Sequence, residues 1–347
     1  RMLRMNILKI FSRSLITQNR NLGAVYIKMF INYFQIISCV WTFEIKLPQE
    51  LLFFPDFVGS PIEQLFYSID CFLASSFPQG SFPVIYAKLL FIIISPMVYL
   101  FIFLILYLFY LCFSRKNVSH KGSIIITSSL FIFLYLQPNV INYAISLLSC
   151  VEIGSGKFFI KADTKYMCYT EFFYDYSLSL VLPIFLFFSV VFPLGLLLIL
   201  IIKRKDLNKS YMRLRLGFIY NEYTQKGFFW EIVKILQRMS IIMILNFFDR
   251  HTNLKAVLIL LVITVFGMWA IFLKPYASKE LDYIDRVSIM TCFFTIFLGL
   301  LLHNNIFNLI TYVGLLVASI LNLYFIWIII RKISFSYYIR FLTLVDK

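Results

Sequence analysis

The sequence predicts an all-α fold: a polytopic transmembrane helical bundle of about eight spans, with both termini in the cytoplasm. Three observations predict it. Of 347 residues, 61% are hydrophobic and only 14% are charged, against about 25% charged in a soluble domain. The apolar residues fall in runs of about 20, the length that crosses a bilayer as a helix. The basic residues crowd into alternate loops, as cytoplasmic loops require.

Residues 1–22 form a basic lead-in. Arg4, Lys9, Arg13 and Arg20 lie among apolar residues, a pattern suited to an interfacial or cytoplasmic arm. A matrix-targeting presequence would have a similar composition. The membrane domain covers 23–330. Its candidate spans are 23–44, 84–112, 124–149, 177–202, 228–248, 254–273, 286–302 and 307–330. The third contains Gln137-Pro138-Asn139 and the fourth contains Pro183 and Pro193. A kink or break is expected at each, because proline removes a backbone donor and clashes one turn back. Residues 331–347 read as a short basic cytoplasmic tail.

Orientation follows from Lys and Arg. With the N-terminus inside, cytoplasmic segments carry 23 of them and outside segments six. The outside loops 45–83 and 150–176 are long enough to fold. The second holds Cys150 and Cys168. A bridge between them would persist on the oxidising side of a membrane; two free thiols, or Cys71 in place of one of them, are the other readings. Cys39, Cys112 and Cys292 read as ordinary small apolar side chains.

The cytoplasmic elbow 203–227 leads into the fifth span. Tyr220, Tyr223, Phe228, Phe229 and Trp230 cluster where the chain returns to the membrane, and aromatic residues favour the headgroup level. Beyond them Glu231, Lys234 and Arg238 recur at helical spacing and share one face. Arg238 lies ten residues past Phe228, about 15 Å into the bilayer. A charge so deep must face protein, water or an acid. Glu231 and Lys234 read equally well as interfacial residues. The linker before the seventh span contains Lys274, Pro275, Asp282, Asp285 and Arg286. Asp282 and Arg286 stand at i and i+4, a pairing of about 0.3–0.5 kcal/mol if exposed.

Other chemistry has no visible carrier. No pair of the three histidines has metal-ligand spacing, and no phosphate-binding loop, nucleophile elbow or paired intramembrane carboxylates occur. The reading is therefore non-enzymatic, with no cofactor or metal. The net charge of +15 reflects the cytoplasmic loops rather than nucleic-acid binding, since no basic run is interleaved with exposed aromatics. The expected partners are the bilayer, anionic lipid headgroups at the cytoplasmic face and further copies of the chain. Outside disulfides favour the plasma membrane or a secretory-pathway organelle.

One ordered set of motifs goes further. SIDCFL (68–73) precedes a span, and FLYLQPNVINYAISLLSC (133–150) ends one. FPLG (192–195), RLGFIYNEYTQKGFFWE (215–231) and KPYASKELDYIDRVS (274–288) follow. Over about residues 55–330 this resembles the membrane domain of the large TRP-like proteins of ciliates, oomycetes and fungi, distant relatives of polycystins and fungal flavin carriers. The resemblance implies a channel-like domain at the end of a longer chain with a Cys-rich outside part. The start at Arg1 fits such a missing region, and the basic N-terminus fits one more preceding span. Three functions stay open: a cation channel or channel-like subunit, a membrane anchor or receptor-like scaffold, and a transporter for a small molecule or lipid. Against the first, Leu302-His303-Asn304-Asn305-Ile306 is too short for a re-entrant helix and filter, and it offers no ring of carboxylates.

Overall fold

A computed structural model describes residues 22–38, 83–113, 121–154, 156–248, 251–304 and 308–345. Most of the lead-in 1–22, the end of the first predicted span and almost all of the loop 45–83 lie outside the described residues. Among the described residues the fold is almost wholly helical. The helices are α1 (Leu22–Ile37), α2 (Val84–Phe113), α3 (Lys121–Leu148), α4 (Glu171–Ile202), α5 (Ser210–Tyr220), α6 (Trp230–Phe247), α7 (Thr252–Leu273), α8 (Lys279–His303) and α9 (Asn308–Val345). One antiparallel hairpin pairs β1 (Cys150–Ile153) with β2 (Lys157–Ile160).

Six of these helices are long and apolar enough to cross a membrane: α2, α3, α4, α7, α8 and α9. Their flanks expose large apolar side chains, among them Met97, Phe101 and Leu106 on α2 and Phe272 on α7. So much exposed apolar surface is compatible with a lipid-embedded protein. The other two predicted spans are helical but differ. α1 has 16 described helical residues, short of the roughly 20 that span. α6 carries Glu231, Lys234 and Arg238 within 18 residues.

Of the kink or break expected at each proline, no break occurs: the helices continue. α3 runs unbroken through Pro138. α4 instead widens. It has π-helical stretches at Tyr174–Val181 and Phe187–Val191, each followed by α-helix starting at Leu182 or Phe192. Pro183 and Pro193 stand second in those α segments. There the missing N–H and the ring clash matter least, because the preceding turns already bond i to i+5. α9 likewise passes residue 330, where the sequence reading ended the last span, and continues to Val345.

The chain forms two compact units. One contains α1, residues 221–224, α7 from Ile263, α8 and α9. Its centre is polar as well as apolar. Tyr33 of α1 hydrogen-bonds Asn322 of α9, and Asn322 Nδ2 donates to Thr295 Oγ1 of α8 at 2.9 Å. The Tyr33 ring lies 4.3 Å from that of Phe325. Gly314 lets α9 approach α8, since a Cβ there would meet Leu298 at 2.9 Å.

The other unit contains α2 to α6, the hairpin and α7 up to Val262. Ile92, Leu136, Ile141, Leu200, Ile219, Ile235 and Met239 share one buried core. A second cluster, with Tyr86, Leu89, Leu147, Ile160 and Phe173, lies under the hairpin. Polar bonds cross between helices here too. Gln137 Nε2 donates to the Phe188 carbonyl at 2.7 Å, and Asn246 Nδ2 donates to Asn142 Oδ1 at 2.9 Å. In an apolar medium such bonds fix helix register. Lys88 rests over the Tyr143 ring, 5.7 Å from its centre.

Candidate functional site

Three places gather the residues that the sequence singled out. The first is the disulfide-tied hairpin after α3. Gly154 and Gly156 have positive φ in its turn, a conformation that costs glycine little. The Cys168 N–H donates to the Phe158 carbonyl at 2.9 Å, and the Ile160 N–H donates to the Tyr166 carbonyl at 2.9 Å. The returning chain is thereby laid against β2. Cys150 and Cys168 are bonded, with Cα atoms 6.2 Å apart. The bridge closes the loop where it leaves α3 and just before α4. Thr170 caps α4, its Oγ1 accepting from the Phe173 N–H at 3.3 Å. Ser177 Oγ donates to the Leu147 carbonyl and pairs with the Tyr86 hydroxyl at 2.7 Å, so the two helices flanking the loop are held at its base.

The second place is the charged face of α6. Glu231 and Lys234 are buried, while Arg238 is partly buried. An Arg238 Nη lies 3.9 Å from Glu231 Oε1. Helical side chains lean toward the N-terminus, so the long arginine reaches back two turns to its acid. Nearby, the Arg204 guanidinium sits 5.4 Å from the centre of the Phe228 ring. Of the aromatics of this stretch, Tyr220, Tyr223, Phe228 and Trp230 are all buried within the protein. The Tyr220 hydroxyl donates to the Leu207 carbonyl at 2.8 Å, tying α5 to the turn before it. Burial pushes its phenol up to about 12, so it stays a donor at physiological pH. At the exposed turn ahead of α5, a hydrogen bond from Lys209 holds the Asp206 carboxyl below its usual range.

The third place unites two motifs that the sequence kept apart. Residues 221–224, between α5 and α6, lie antiparallel to residues 275–277, between α7 and α8. The Thr224 N–H donates to the Pro275 carbonyl at 2.7 Å, and the Ala277 N–H donates to the Glu222 carbonyl at 2.9 Å. Tyr223 and Tyr276 are bridge partners, their rings 5.1 Å apart. Lys274 ends α7 with φ of 43°, and this left-handed residue turns the chain toward its partner segment. Side chains lock the clasp. The Tyr276 hydroxyl donates to Asp285 Oδ1 at 3.2 Å, and its N–H donates to Asp282 Oδ1 at 3.3 Å. Ser278 Oγ accepts from the Leu281 N–H at 3.2 Å, which caps α8.

Into this clasp α1 inserts a cation. Lys28 pairs with Glu222, which is 3% exposed, and stands 5.6 Å from the centre of the Tyr223 ring. Tyr26, two residues earlier, donates to Glu280 Oε1 at 3.1 Å, and Lys332 of α9 pairs with the same carboxylate at 2.5 Å. Asp282 and Arg286 do stand at i and i+4, but the bond found is from Arg286 Nε to the Asp282 main-chain carbonyl, at 3.1 Å. Sequence reasoning named Tyr223, Lys274, Pro275, Asp282, Asp285 and Arg286. It missed Lys28, Glu222, Tyr276 and Glu280. The usable signal was an acid between two tyrosines, Tyr220 and Tyr223, in the elbow.

No family model matches the chain, and no solved structure matches it. Among curated proteins the chain is similar to Cysteine repeat modular protein A of Toxoplasma gondii. The two are 26% identical over 125 residues, which cover 33% of this chain and 4% of that protein. The chain therefore spans only a small fraction of the length of the relative it matches.

Proposed function

We propose that this chain is a membrane module that anchors a larger, cysteine-rich modular protein, built on the plan of the TRP-like membrane domains it resembles. The observation that carries the reading is the disulfide-tied hairpin seated on the ends of α3 and α4. Such a rigid cap between two spans belongs on the oxidising face of a membrane. The name and great length of the Toxoplasma relative support the same reading. In it the chain crosses the bilayer about eight times with both termini cytoplasmic. α1 and α6 count as spans because their polar groups find partners within the protein. The hairpin then faces outward and the basic turn 203–209 faces the cytoplasm, at the plasma membrane or in a secretory organelle. Anionic headgroups and further copies of the chain are the partners.

A channel-like subunit is the second reading. The clasp favours it, because it joins the elbow before α6 to the linker before α8, where motion of one helix pair would reach another. Only four residues separate His303 of α8 from Asn308 of α9, which weighs against a pore filter there. A transporter reading rests on the resemblance to flavin carriers and on the proline-bearing α3 and α4.

Ion flux through the purified full chain in liposomes separates these readings. The anchor reading predicts no cation current from folded protein. A current that changes with Arg238→Gln would overturn it in favour of conduction.

A further inference from the structure

Among the described residues a groove of about 260 Å³ opens between α7 and α8. Ile263, Gly267 and Ile271 line it from α7, Ile289 and Phe293 from α8, and Arg286 closes one end. Gly267 makes the floor. A Cβ there would meet Ile289 Cγ2 at 3.0 Å, a tight contact, so glycine favours this close approach and leaves the space above empty. The helices run antiparallel through the short linker, which puts Ile271 and Arg286 at the linker end and Ile263 and Phe293 at the deep end.

The dimensions decide what fits. From Ile263 to Ile271 is about 12 Å of helix. One leaflet of hydrocarbon is about 15 Å, half of a 30 Å core. The groove therefore follows most of one leaflet and suits one acyl chain. Its mouth is cationic. Arg286 is exposed, and its Nε is fixed by the Asp282 carbonyl. The neighbouring carboxylates hydrogen-bond Tyr276, Asp282 accepting from its N–H and Asp285 from its hydroxyl; Arg286 attracts Asp282 through space without a direct ion pair. Among the described residues no carboxylate forms an ion pair with Arg286. Its remaining N–H groups form the planar fork that takes phosphate oxygens in pairs.

We infer that the α7–α8 groove is a binding site for one anionic phospholipid, with an acyl chain along Gly267 and the phosphate on Arg286. The inference rests on the membrane reading above, in which the linker end lies at the cytoplasmic leaflet, the one rich in anionic lipid. The site ties the lipid to the clasp, because Arg286 and the two aspartates that hold Tyr276 share one turn of α8.

Native mass spectrometry of the purified full chain, with dioleoyl phosphatidylglycerol or dioleoyl phosphatidylcholine added, tests it. The wild-type chain should retain one phosphatidylglycerol about tenfold better than phosphatidylcholine. Arg286→Gln should erase that preference, and Arg286→Lys should restore most of it. Ile271→Trp, at the rim, should fill the groove and weaken both lipids while the chain still melts as wild type. Glycerol phosphate should not compete. Equal retention of the two lipids by wild type would overturn the inference, as would a preference that survives Arg286→Gln or displacement by glycerol phosphate. If the membrane reading itself failed, the chain would stay soluble without detergent and bind neither lipid.

Discussion

Glu222 and Glu231 are each 3% exposed, but they solve the same problem in different ways. Glu222 sits in an irregular segment, and its partner Lys28 is 194 residues away in the chain. Glu231 sits on α6 and faces Arg238, two turns along the same helix, at 3.9 Å. The first pair can form only when α1 has docked. The second can begin to form as soon as α6 does. The long-range pair therefore belongs to tertiary structure, and the local pair belongs to the helix.

Substitutions can break or sharpen this contrast. Glu222→Gln should have the largest effect, lowering stability in detergent by about 3–5 kcal/mol, the cost of leaving one buried charge behind. Lys28→Met combined with Glu222→Leu should recover part of that loss, because no uncompensated charge remains. Thermal melts of the single and double variants provide the check. Cys150→Ser should come next, at about 3 kcal/mol for a loop of this length. It should loosen proteolytic resistance in the hairpin while leaving the Lys28–Glu222 coupling unchanged.

Glu231→Gln should cost about 1–3 kcal/mol, because Glu231 is a buried acid whose pairing with Arg238 lies within its own helix. Coupling between positions 231 and 238 should survive Lys28→Met. If it did not, the local and long-range pairs would be one network. Lys332→Gln should be the mildest, within about 1 kcal/mol, since Lys332 and Glu280 both remain substantially exposed.

The same division explains what could be read in advance. Run length located a helix in each of the eight predicted spans, and the i, i+3, i+7 spacing of Glu231, Lys234 and Arg238 put the charges on one face. Cys150 and Cys168 flank a loop between two apolar runs, so their bridge was legible as well. The clasp was not. Residues 221–224 and 275–277 are too short to show any period, and their pairing depends on the left-handed turn at Lys274. That α9 runs on as helix past residue 330 was not legible for a different reason. Arg331 and Lys332 look like a tail, but Arg331 lies 5.3 Å from the centre of the Trp327 ring and Lys332 reaches Glu280, so these charges are compatible with continued helix. Pro183 and Pro193 signalled irregularity without saying that it would take π-helical form.

The most direct test is the sidedness of α4, because the anchor reading requires its two ends to lie on opposite faces of the membrane. Single cysteines at Lys157, in the hairpin, and at Lys205, after α4, would be labelled in intact cells with a membrane-impermeant maleimide. Label at 157 without permeabilisation, and at 205 only after it, is the predicted result. Label at both positions from the same side would contradict the account.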